Sequence, residues 1–345
     1  MRFLFDIGHP AHVHYFRNLI SLLQKQNHEI KITARDKEMT LYLLDKYGLD
    51  FVSTGKNASS IFGKALSLPL IESQIYKVAK LFKPDLIIST FTPYAAHIGK
   101  LLDVPVLGIT DTEHATLSNT LAKNFTDCLI IPTGCNVNFP NKKVEYDGFL
   151  ELAYLHPKYF TPNPQVLDFL KISAGEKFVI LRFVSWNAAH DWGIRGFSLK
   201  EKMTLSHFLN KHVKVFISSE ELLPKELNDY KLQIPPEMIH DALYYATMII
   251  GDGATMSTEA ALLGTPSILT NSLATKISHF RELEEGGLVY STTDFKEIVR
   301  QSLNILSSEI DYAARKNIIL KSKISLTDVL MDELILLTNK RKINK

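Results

Sequence analysis

Short apolar runs alternate with segments of helical spacing along most of the chain. Runs of three to five mostly apolar residues predict buried strands at 3–7, 29–33, 85–89, 105–109, 128–131, 178–182, 214–217, 247–250 and 267–269. Apolar residues spaced for one helix face predict helices at 12–26, 37–47, 94–102, 115–124, 200–210, 240–246, 255–263, 294–306 and 326–338. This alternation is typical of α/β proteins, in which a parallel sheet carries helices on both of its faces.

A proline-rich stretch at 132–176, interpreted as an inter-domain region, divides the alternation into two halves of similar size. We therefore predict two doubly wound parallel-sheet domains, over 1–160 and 161–325, followed by a C-terminal helix and basic tail over 326–345. Doubly wound sheets bind ligands at the carboxyl ends of their strands. We expect the two sheets to face each other across one shared cleft.

The composition argues against several classes of protein. The chain has 345 residues, of which 46% are hydrophobic and 22% charged, and its formal net charge of +2 gives no indication of nucleic-acid binding. No run of about 18 apolar residues predicts a membrane span, and the first residues lack the apolar stretch of a signal peptide. The two cysteines, Cys128 and Cys135, form no CxxC motif, which fits a reducing cytoplasm.

The sequence GDGATMSTEAALLGTP at 251–266 is the strongest indication of chemistry. A predicted strand ends there in a glycine turn, and a helix opens behind it with small and hydroxyl residues. Glycine allows close approach of the backbone, and the first N–H groups of a helix lack internal partners, so such a junction suits a phosphate. Glu259 lies about one turn into the helix, where a carboxylate suits a ribose diol. An ordinary turn between a strand and a helix is the alternative.

Polar residues after two other predicted strands of the second half add groups for anion binding. Arg182 carries a forked guanidinium that fits a phosphate, and Ser185 and Asn187 follow it with further hydrogen-bond donors. Ser219 follows the strand at 214–217 and is expected to line the same cleft. A structural ion pair of Arg182 and a helix cap formed by Ser219 are the alternatives.

The first junction between a strand and a helix is rich in histidine. Gly8 frees this turn and is a candidate for contact with a nucleotide, and His9, His12 and His14 follow it. Their spacing differs from HExxH and no cysteine is near, so we predict no metal site. His12 would open the helix and point across the cleft, where an imidazole that titrates near neutral pH suits a general base. Helix capping and hydrogen bonding to the local backbone are the alternatives for these histidines.

Asp111 and His114 form a similar polar junction after the predicted strand at 105–109. They would face the acceptor side and supply a carboxylate and a second imidazole, so they join His12 as candidate catalytic residues. A polar helix entrance is the alternative. Neither the P-loop pattern GxxxxGK[ST] nor the dinucleotide pattern GxGxxG occurs in the chain, which disfavours an ordinary ATPase and a dinucleotide enzyme.

Together these motifs resemble the GT-B superfamily of sugar-nucleotide enzymes. They resemble more closely an uncharacterised prokaryotic family within it, often noted near polysaccharide genes. The resemblance covers most of the chain and rests on DIGHPAHVHYFRNL at 6–19, LRFVSWNAAHDWG at 181–193 and DALYYATMIIGDGATMSTEAALLGTPSI at 241–268. It implies two Rossmann-like domains that face each other across a cleft, and a nucleotide-diphosphate sugar as substrate. No metal or other cofactor is expected.

Two characterised members of the superfamily imply roles for single residues. The lipid II N-acetylglucosaminyltransferase has a similar first loop, which implies His12 as the base, and a similar helix with a ribose-binding glutamate, which implies that role for Glu259. Its turn implies that the diphosphate is held at the start of the helix, where the candidates are Gly253, Ala254, Thr255, Met256 and Ser257. The non-hydrolysing UDP-N-acetylglucosamine 2-epimerase resembles the chain at Arg182 and Glu259. The chain lacks the repeated glycines of the transferase and the full set of catalytic carboxylates of the epimerase.

We expect a glycosyltransferase that moves a sugar to the hydroxyl of a saccharide or lipid-linked acceptor, in polysaccharide or glycoconjugate synthesis. The second interpretation is a UDP-sugar 2-epimerase or hydrolase, and the third is a non-catalytic nucleotide-binding scaffold. The apolar stretch at 59–75 leaves open a peripheral contact with the inner face of the membrane, and a buried helix or a lid over the acceptor is its alternative. A homodimer stays open as well, and no nucleic-acid partner is expected.

Overall fold

Two compact units make up the protein. A computed structural model of the chain describes residues 1–56, 61–113, 115–173, 175–184, 197–220, 222–270 and 278–343. One unit comprises Met1–Tyr159 and Lys323–Lys345, and the other comprises Phe160–Ser322. Each unit contains one parallel sheet with helices packed against it, which confirms the α/β class that the alternation of apolar runs predicts.

The first unit is built on a sheet of seven parallel strands. They are β1 (Arg2–Ile7), β2 (Glu29–Asp36), β3 (Phe51–Lys56), β4 (Leu86–Ser89), β5 (Val106–Ile109), β6 (Cys128–Pro132) and β7 (Lys142–Tyr146). Their order in the sheet is β3-β2-β1-β4-β5-β6-β7, so the winding reverses between β1 and β4. In doubly wound sheets the carboxyl ends of the strands at such a reversal border the crevice where ligands bind.

Between residues 1 and 159, the described part of the first unit contains six α-helices. They are α1 (Pro10–Lys25), α2 (Thr40–Lys46), α3 (Ile61–Phe82), α4 (Pro93–Leu102), α5 (Thr116–Ala122) and α6 (Leu152–Leu155). Helices α3 and α4 pack on one face of the sheet, where Ile71 and Ile75 join a core with Leu4, Ile87 and Ile98. The apolar stretch at 59–75 thus includes buried helix positions, although Leu70 is 71% exposed.

The second unit is built on five parallel strands. They are β8 (Phe178–Phe183), β9 (Lys214–Ser219), β10 (Met248–Gly251), β11 (Ser267–Leu269) and β12 (Val289–Ser291). Their order is β12-β11-β10-β8-β9, so β8 lies between β10 and β9 and the winding reverses there. The carboxyl ends of β8, β9 and β10 are therefore neighbours at one edge of the sheet.

Seven α-helices lie in the described part of the second unit. They are α7 (Val166–Leu170), α8 (Leu199–Leu209), α9 (Ile239–Tyr245), α10 (Ala254–Leu263), α11 (Ser278–Glu285), α12 (Phe295–Ser307) and α13 (Tyr312–Leu320). Helix α10 ends at Gly264, whose φ of +89° is the left-handed conformation that favours glycine. Within the part of the chain that the structure describes, no helix is long and apolar enough to cross a membrane.

The chain returns to the first unit for its last helix, α14 (Leu326–Ile343). Helix α14 packs against α1 and α6. The Ser325 hydroxyl donates to the Leu152 carbonyl at 3.1 Å, and the Thr327 hydroxyl donates to the Ala153 carbonyl at 2.9 Å. The apolar face of the helix is buried in the first unit through Leu326, Leu330 and Leu334. The second unit is therefore inserted in the sequence between two parts of the first.

The stretch at 132–176 is more ordered than its proline content predicts. Strand β7 lies within it and pairs with β6 at the edge of the first sheet, and the buried helix α6 follows. The inter-domain interpretation is therefore wrong for 142–155, and the boundary between the units lies after Tyr159. Strand β7 has the sequence KKVEY, and a charged strand at a sheet edge carries little apolar signal.

Candidate functional site

The turn after β10 brings the backbones of two strands into close contact. Gly251 pairs with Arg182 of β8, and a Cβ built on Gly251 would lie 2.3 Å from the Arg182 carbonyl oxygen. That distance is far inside van der Waals contact, so only glycine fits at this position. The next residue, Asp252, is buried and its Oδ1 accepts the Val184 N–H at 2.9 Å, which fixes the turn to the chain leaving β8.

Helix α10 begins directly behind this turn with an uncapped N-terminus. Its N-cap residue is Gly253, which has no side chain to accept hydrogen bonds from the first N–H groups of the helix. A Cβ on Gly253 would lie 3.3 Å from Arg182 Cγ, so the helix starts against the arginine side chain. The first turn therefore offers backbone donors close to a cation. The candidate residues Ala254, Thr255 and Met256 occupy this turn, and Thr255 is exposed.

Two of the buried hydroxyl groups that have no hydrogen-bond partner among the described residues lie near the glycine turn and the start of α10. One belongs to Ser257 of α10, which is 1% exposed. The other belongs to Thr270, whose N–H donates to the Gly251 carbonyl at 2.8 Å and which therefore lies beside the glycine turn. Buried hydroxyls in proteins nearly always have partners, so an unpartnered pair here suggests that a bound molecule or water completes the site.

Arg182 is held in place from the neighbouring strand. Its Nη1 donates to Ser218 Oγ at 3.0 Å, and its Nη2 donates to Glu220 Oε1 at 2.5 Å. The structural ion pair that was the alternative for Arg182 is thus present. The guanidinium also lies beside the positive end of α10, where the helix dipole disfavours a cation. Glu220 offsets part of that charge, and an anion bound between the arginine and the helix would offset more.

Ser219 lies between the two residues that contact Arg182. Successive side chains of a strand point to opposite faces of the sheet, so Ser218 and Glu220 share the face of Arg182 and Ser219 belongs to the other. Without the register of β9 on β8, the sequence does not show which residues of β9 share the face of Arg182. The other two candidates of this loop, Ser185 and Asn187, fall in 185–196 and lie outside the described residues.

Glu259 is buried and bonded to a histidine that the sequence pattern did not single out. His240 Nε2 lies 3.0 Å from Glu259 Oε1, and the two residues are 2% and 5% exposed. His240 belongs to α9, which packs against α10. The two residues are 19 positions apart, and nothing in their spacing indicates the contact.

A buried ion pair supports the first loop of the first unit. Arg35 donates to both carboxylate oxygens of Asp6, through Nη1 at 3.3 Å and Nη2 at 2.9 Å. The Thr33 hydroxyl donates to Asp6 Oδ1 at 3.0 Å, and the Arg35 guanidinium carbon lies 4.6 Å from the centre of the Tyr94 ring. A Cβ on Gly8 would lie 2.4 Å from Arg35 Nη2. Gly8 therefore has a structural reason to be glycine, whether or not a ligand approaches it.

His12 lies in the first turn of α1, close to the carboxyl ends of β1 and β4. The Gly8 N–H donates to His12 Nδ1 at 3.2 Å, and Thr90 Oγ1 lies 3.1 Å from Nδ1 and 3.2 Å from Nε2. Because Nδ1 accepts the Gly8 hydrogen, the proton of the neutral ring is on Nε2. The capping alternative holds for His9, whose Nδ1 accepts the Ala11 N–H at 3.2 Å.

Burial keeps His12 neutral. Loss of hydration is the largest cause that holds the pKa of this imidazole well below its ordinary value, and positive charge nearby lowers that pKa further, from His9, Arg35 and Lys37. At neutral pH an imidazole with a lowered pKa has one ring nitrogen without a proton, so it is in the form that a general base requires.

Asp111 lies just beyond the end of β5 in a local hydrogen-bond network. The Thr112 hydroxyl donates to Asp111 Oδ1 at 3.1 Å, and Asn119 Nδ2 donates to the Thr112 carbonyl at 3.1 Å. These bonds fit the alternative of a polar helix entrance, because α5 begins at Thr116. His114, the second candidate of this loop, lies outside the described residues. Among the residues that are described, no group of three or more His, Cys, Asp or Glu side chains could hold a metal ion.

Comparison of the sequence with known proteins shows the family to which the chain belongs. The family described as "Protein of unknown function (DUF354)" matches residues 1–337. The chain belongs to this family. A protein of Methanocaldococcus jannaschii described as "Uncharacterized protein MJ0665" is 25% identical over 305 residues, which cover 85% of this chain and 88% of that protein.

Solved structures of sugar-nucleotide enzymes share the fold. The UDP-GlcNAc 2-epimerase of Neisseria meningitidis, bound to UDP-GlcNAc, has a TM-score of 0.69 at 16% identity, over 97% of this chain and all of that one. The glycosyltransferase VinC in complex with dTDP has a TM-score of 0.62 at 14% identity, over 99% of this chain and all of that one. These likenesses confirm the predicted GT-B fold of two Rossmann-like domains.

Proposed function

We propose that the second unit binds a nucleotide-diphosphate sugar, with the diphosphate at the N-terminus of α10. The observation that carries this proposal is the position of Arg182 against the uncapped helix start at Gly253, because two positive groups in contact favour an anion between them. The unpartnered hydroxyl of Ser257 supports it. Two solved structures of the same fold hold UDP-GlcNAc, a nucleotide sugar, and dTDP, a nucleoside diphosphate.

The reaction is transfer of the sugar to the hydroxyl of a saccharide or lipid-linked acceptor. The acceptor oxygen forms a bond to the anomeric carbon while the bond from that carbon to the diphosphate breaks, and the diphosphate leaves with the electron pair. Arg182 and the first N–H groups of α10 stabilise the charge that develops on the leaving group, and fixed donors of this kind are the main catalytic device. The arginine and the helix supply positive charge, so the reaction requires no metal.

His12 is the base that takes the proton of the acceptor hydroxyl. Its lowered pKa keeps the ring neutral and able to accept a proton. The lone pair of the neutral ring is on Nδ1, which now accepts the Gly8 N–H, so the acceptor hydroxyl must replace the Gly8 N–H at this atom. Catalytic hydrogen bonds often form fully only in the substrate complex, which makes such an exchange reasonable. Asp111 and His114 are further candidates to orient the acceptor.

A UDP-sugar 2-epimerase or hydrolase is the second candidate. It is favoured by the TM-score of 0.69 with a UDP-GlcNAc 2-epimerase, a likeness that covers nearly the whole of both chains. This reaction also needs a diphosphate site at α10, but it needs no acceptor. The two candidates therefore share the binding proposal and differ in what a sugar donor does when it is incubated alone.

Binding is tested by thermal unfolding in the presence of UDP, GDP, CDP and dTDP. A nucleotide at a hundred times its Kd should stabilise the protein by about 2.7 kcal/mol. Arg182→Gln should weaken that nucleotide by about ten- to a hundredfold, because charged hydrogen bonds contribute about 1.5–3 kcal/mol each. The matched control is Arg300→Gln, at an exposed arginine of α12. Equal affinity of Arg182→Gln and the wild type, or no binding at all, would overturn the proposal.

Turnover is tested by following UDP-GlcNAc and its relatives by NMR. Release of the nucleoside diphosphate that depends on an added saccharide supports glycosyl transfer. A 2-epimer or free sugar formed without acceptor supports the second candidate instead. Tight nucleotide binding without either reaction supports a third function, a nucleotide-binding scaffold.

A further inference from the structure

A hydrogen-bonded pair of ionisable residues lies in the interior of the second unit. His240 Nε2 and Glu259 Oε1 are 3.0 Å apart, and both residues are almost completely buried. His240 is the second residue of α9 and Glu259 the sixth residue of α10, so the pair joins two helices in contact. A carboxylate at this depth is costly to bury without partners, and His240 supplies one.

The direction of the Glu259 side chain connects this pair to the proposed nucleotide site. The Cα–Cβ bonds of a helix tilt toward its N-terminus, so the carboxylate leans toward the end of α10 at which Gly253 and Ala254 lie. A ribose is attached directly to the diphosphate, so its hydroxyls follow the diphosphate by one sugar ring. In dinucleotide-binding folds an acidic side chain likewise accepts a hydrogen bond from the ribose whose diphosphate lies at a helix N-terminus.

A second contact fixes α9 against α10. The Thr265 hydroxyl donates to the Leu243 carbonyl of α9 at 2.7 Å, and the Thr265 N–H donates to the Ala260 carbonyl of α10 at 2.8 Å. Thr265 is buried, so these bonds are shielded from water. Helix α9 is thus a firm support from which the imidazole meets the carboxylate in a defined direction.

We propose that His240 is a positioning residue that orients Glu259 toward the ribose hydroxyls and thereby sets the preference for an intact ribose. This inference rests on the proposed nucleotide site. When His240 is removed, Glu259 loses the hydrogen bond that directs Oε1, whereas the contacts of the diphosphate with Arg182 and α10 are unchanged. Loss of His240 should therefore weaken only the binding of nucleotides that carry ribose hydroxyls.

The test compares nucleotides with and without ribose hydroxyls by isothermal titration calorimetry. The probes are UDP, GDP, CDP and dTDP, each beside its 2′,3′-dideoxy counterpart. The wild type should bind the natural form of its preferred nucleotide at least tenfold more tightly than the dideoxy form. His240→Ala should weaken the natural form about tenfold and leave the dideoxy form unchanged. His240→Gln, whose amide can still donate to Glu259, should restore most of the preference.

Three further variants make the result specific. Glu259→Gln should reduce the preference as His240→Ala does. Ser302→Ala removes a buried hydrogen bond within α12 of the same unit and leaves α9 and α10 unchanged, so it should keep the preference. His240→Asn, with a shorter side chain, should lose it and serves if His240→Ala does not fold.

The possible negative results can be told apart. Full preference in His240→Asn or His240→Ala, with loss in Glu259→Gln, overturns the role of His240 and leaves the nucleotide site intact. A wild type that binds both forms equally overturns the recognition of ribose. A wild type that binds no nucleotide overturns the proposed function itself.

Discussion

The guanidinium of Arg35 occupies the space into which a side chain at Gly8 would project. A Cβ there would lie 2.4 Å from Arg35 Nη2, and Arg35 cannot easily withdraw because it is paired with Asp6 and stacked on Tyr94. The geometry of the first loop is therefore coupled to a buried ion pair on the neighbouring strand. This coupling has a measurable consequence for stability.

We expect Gly8→Ala to destabilise the protein by about 1–3 kcal/mol, as overpacking of a buried position usually does. The cost approaches the upper value if the Asp6–Arg35 pair breaks, because a buried charge without its partner is strongly unfavourable. Thermal and urea unfolding measure the change. Gly108→Ala is the matched control, since its Cβ would meet no atom closer than 3.3 Å and the cost should be smaller. Equal destabilisation by both variants would contradict the coupling.

The neutral His12 makes the folded protein less stable in acid. The unfolded chain protonates this histidine below about pH 6.5, whereas burial holds its pKa in the folded protein well below that value. The stability is therefore fully present above about pH 6.5 and is lost as the pH falls from there through the folded pKa. His12→Asn should make the urea midpoint less sensitive to pH between 7.5 and 5. Parallel curves for the variant and the wild type would refute this account.

Replacing Ser257 should affect the stability of the protein and its affinity for nucleotide differently. Ser257→Ala removes a buried polar group that has no partner among the described residues, so the free energy of unfolding should stay equal or increase. Nucleotide affinity should nevertheless fall by about tenfold, because a ligand contact is lost. The control is Ser206→Ala, which removes a satisfied bond to the Lys202 carbonyl and should cost about 1 kcal/mol of stability without affecting the nucleotide. Destabilisation by both changes, with unchanged affinity, would argue against a ligand at Ser257.

In the proposed site, Glu220 competes with the diphosphate for Arg182. Its Oε1 accepts from Arg182 Nη2 at 2.5 Å, so removing its charge leaves the guanidinium more available to phosphate. We expect Glu220→Gln to increase nucleotide affinity by several-fold, about 1 kcal/mol for one charge near a partly exposed site. Glu309→Gln changes the net charge equally at an exposed position of the same unit and should have little effect. Weaker binding by Glu220→Gln would show that Glu220 chiefly orients the arginine.

The sequence alone predicts the central strands well because both of their faces are buried. Strands β6 and β11, for example, begin at the predicted residues, Cys128 and Ser267. The edge strands β3, β7 and β12 do not emerge from the pattern, because their sequences FVSTGK, KKVEY and VYS contain no run of three apolar residues. The glycine turn at Gly251 and the start of α10 can be predicted because they depend on neighbouring residues in the sequence, namely glycines followed by small and hydroxyl residues.

The partners of the candidate residues do not follow from the sequence. Arg35 reaches Asp6 from the next strand, and His240 reaches Glu259 from a helix 19 residues away. Ser218 and Glu220 contact Arg182 because of the register of β9 on β8. Each contact is set by tertiary packing, which spacing along the chain does not encode. The roles predicted for His12, Asp111 and the diphosphate-binding residues, and the likeness to the lipid II transferase, stay predictions.

The return of α14 to the first unit also imposes an order on biosynthesis. This helix is translated after the whole of the second unit. While the second unit is being synthesised, the first unit therefore lacks the helix that covers α1 and α6. The second unit, contiguous from Phe160 to Ser322, can complete its core earlier. The N-terminal sheet is thus synthesised first and finished last, and a nascent chain that stops short of Leu326 leaves the hydrophobic surface of α1 and α6 uncovered.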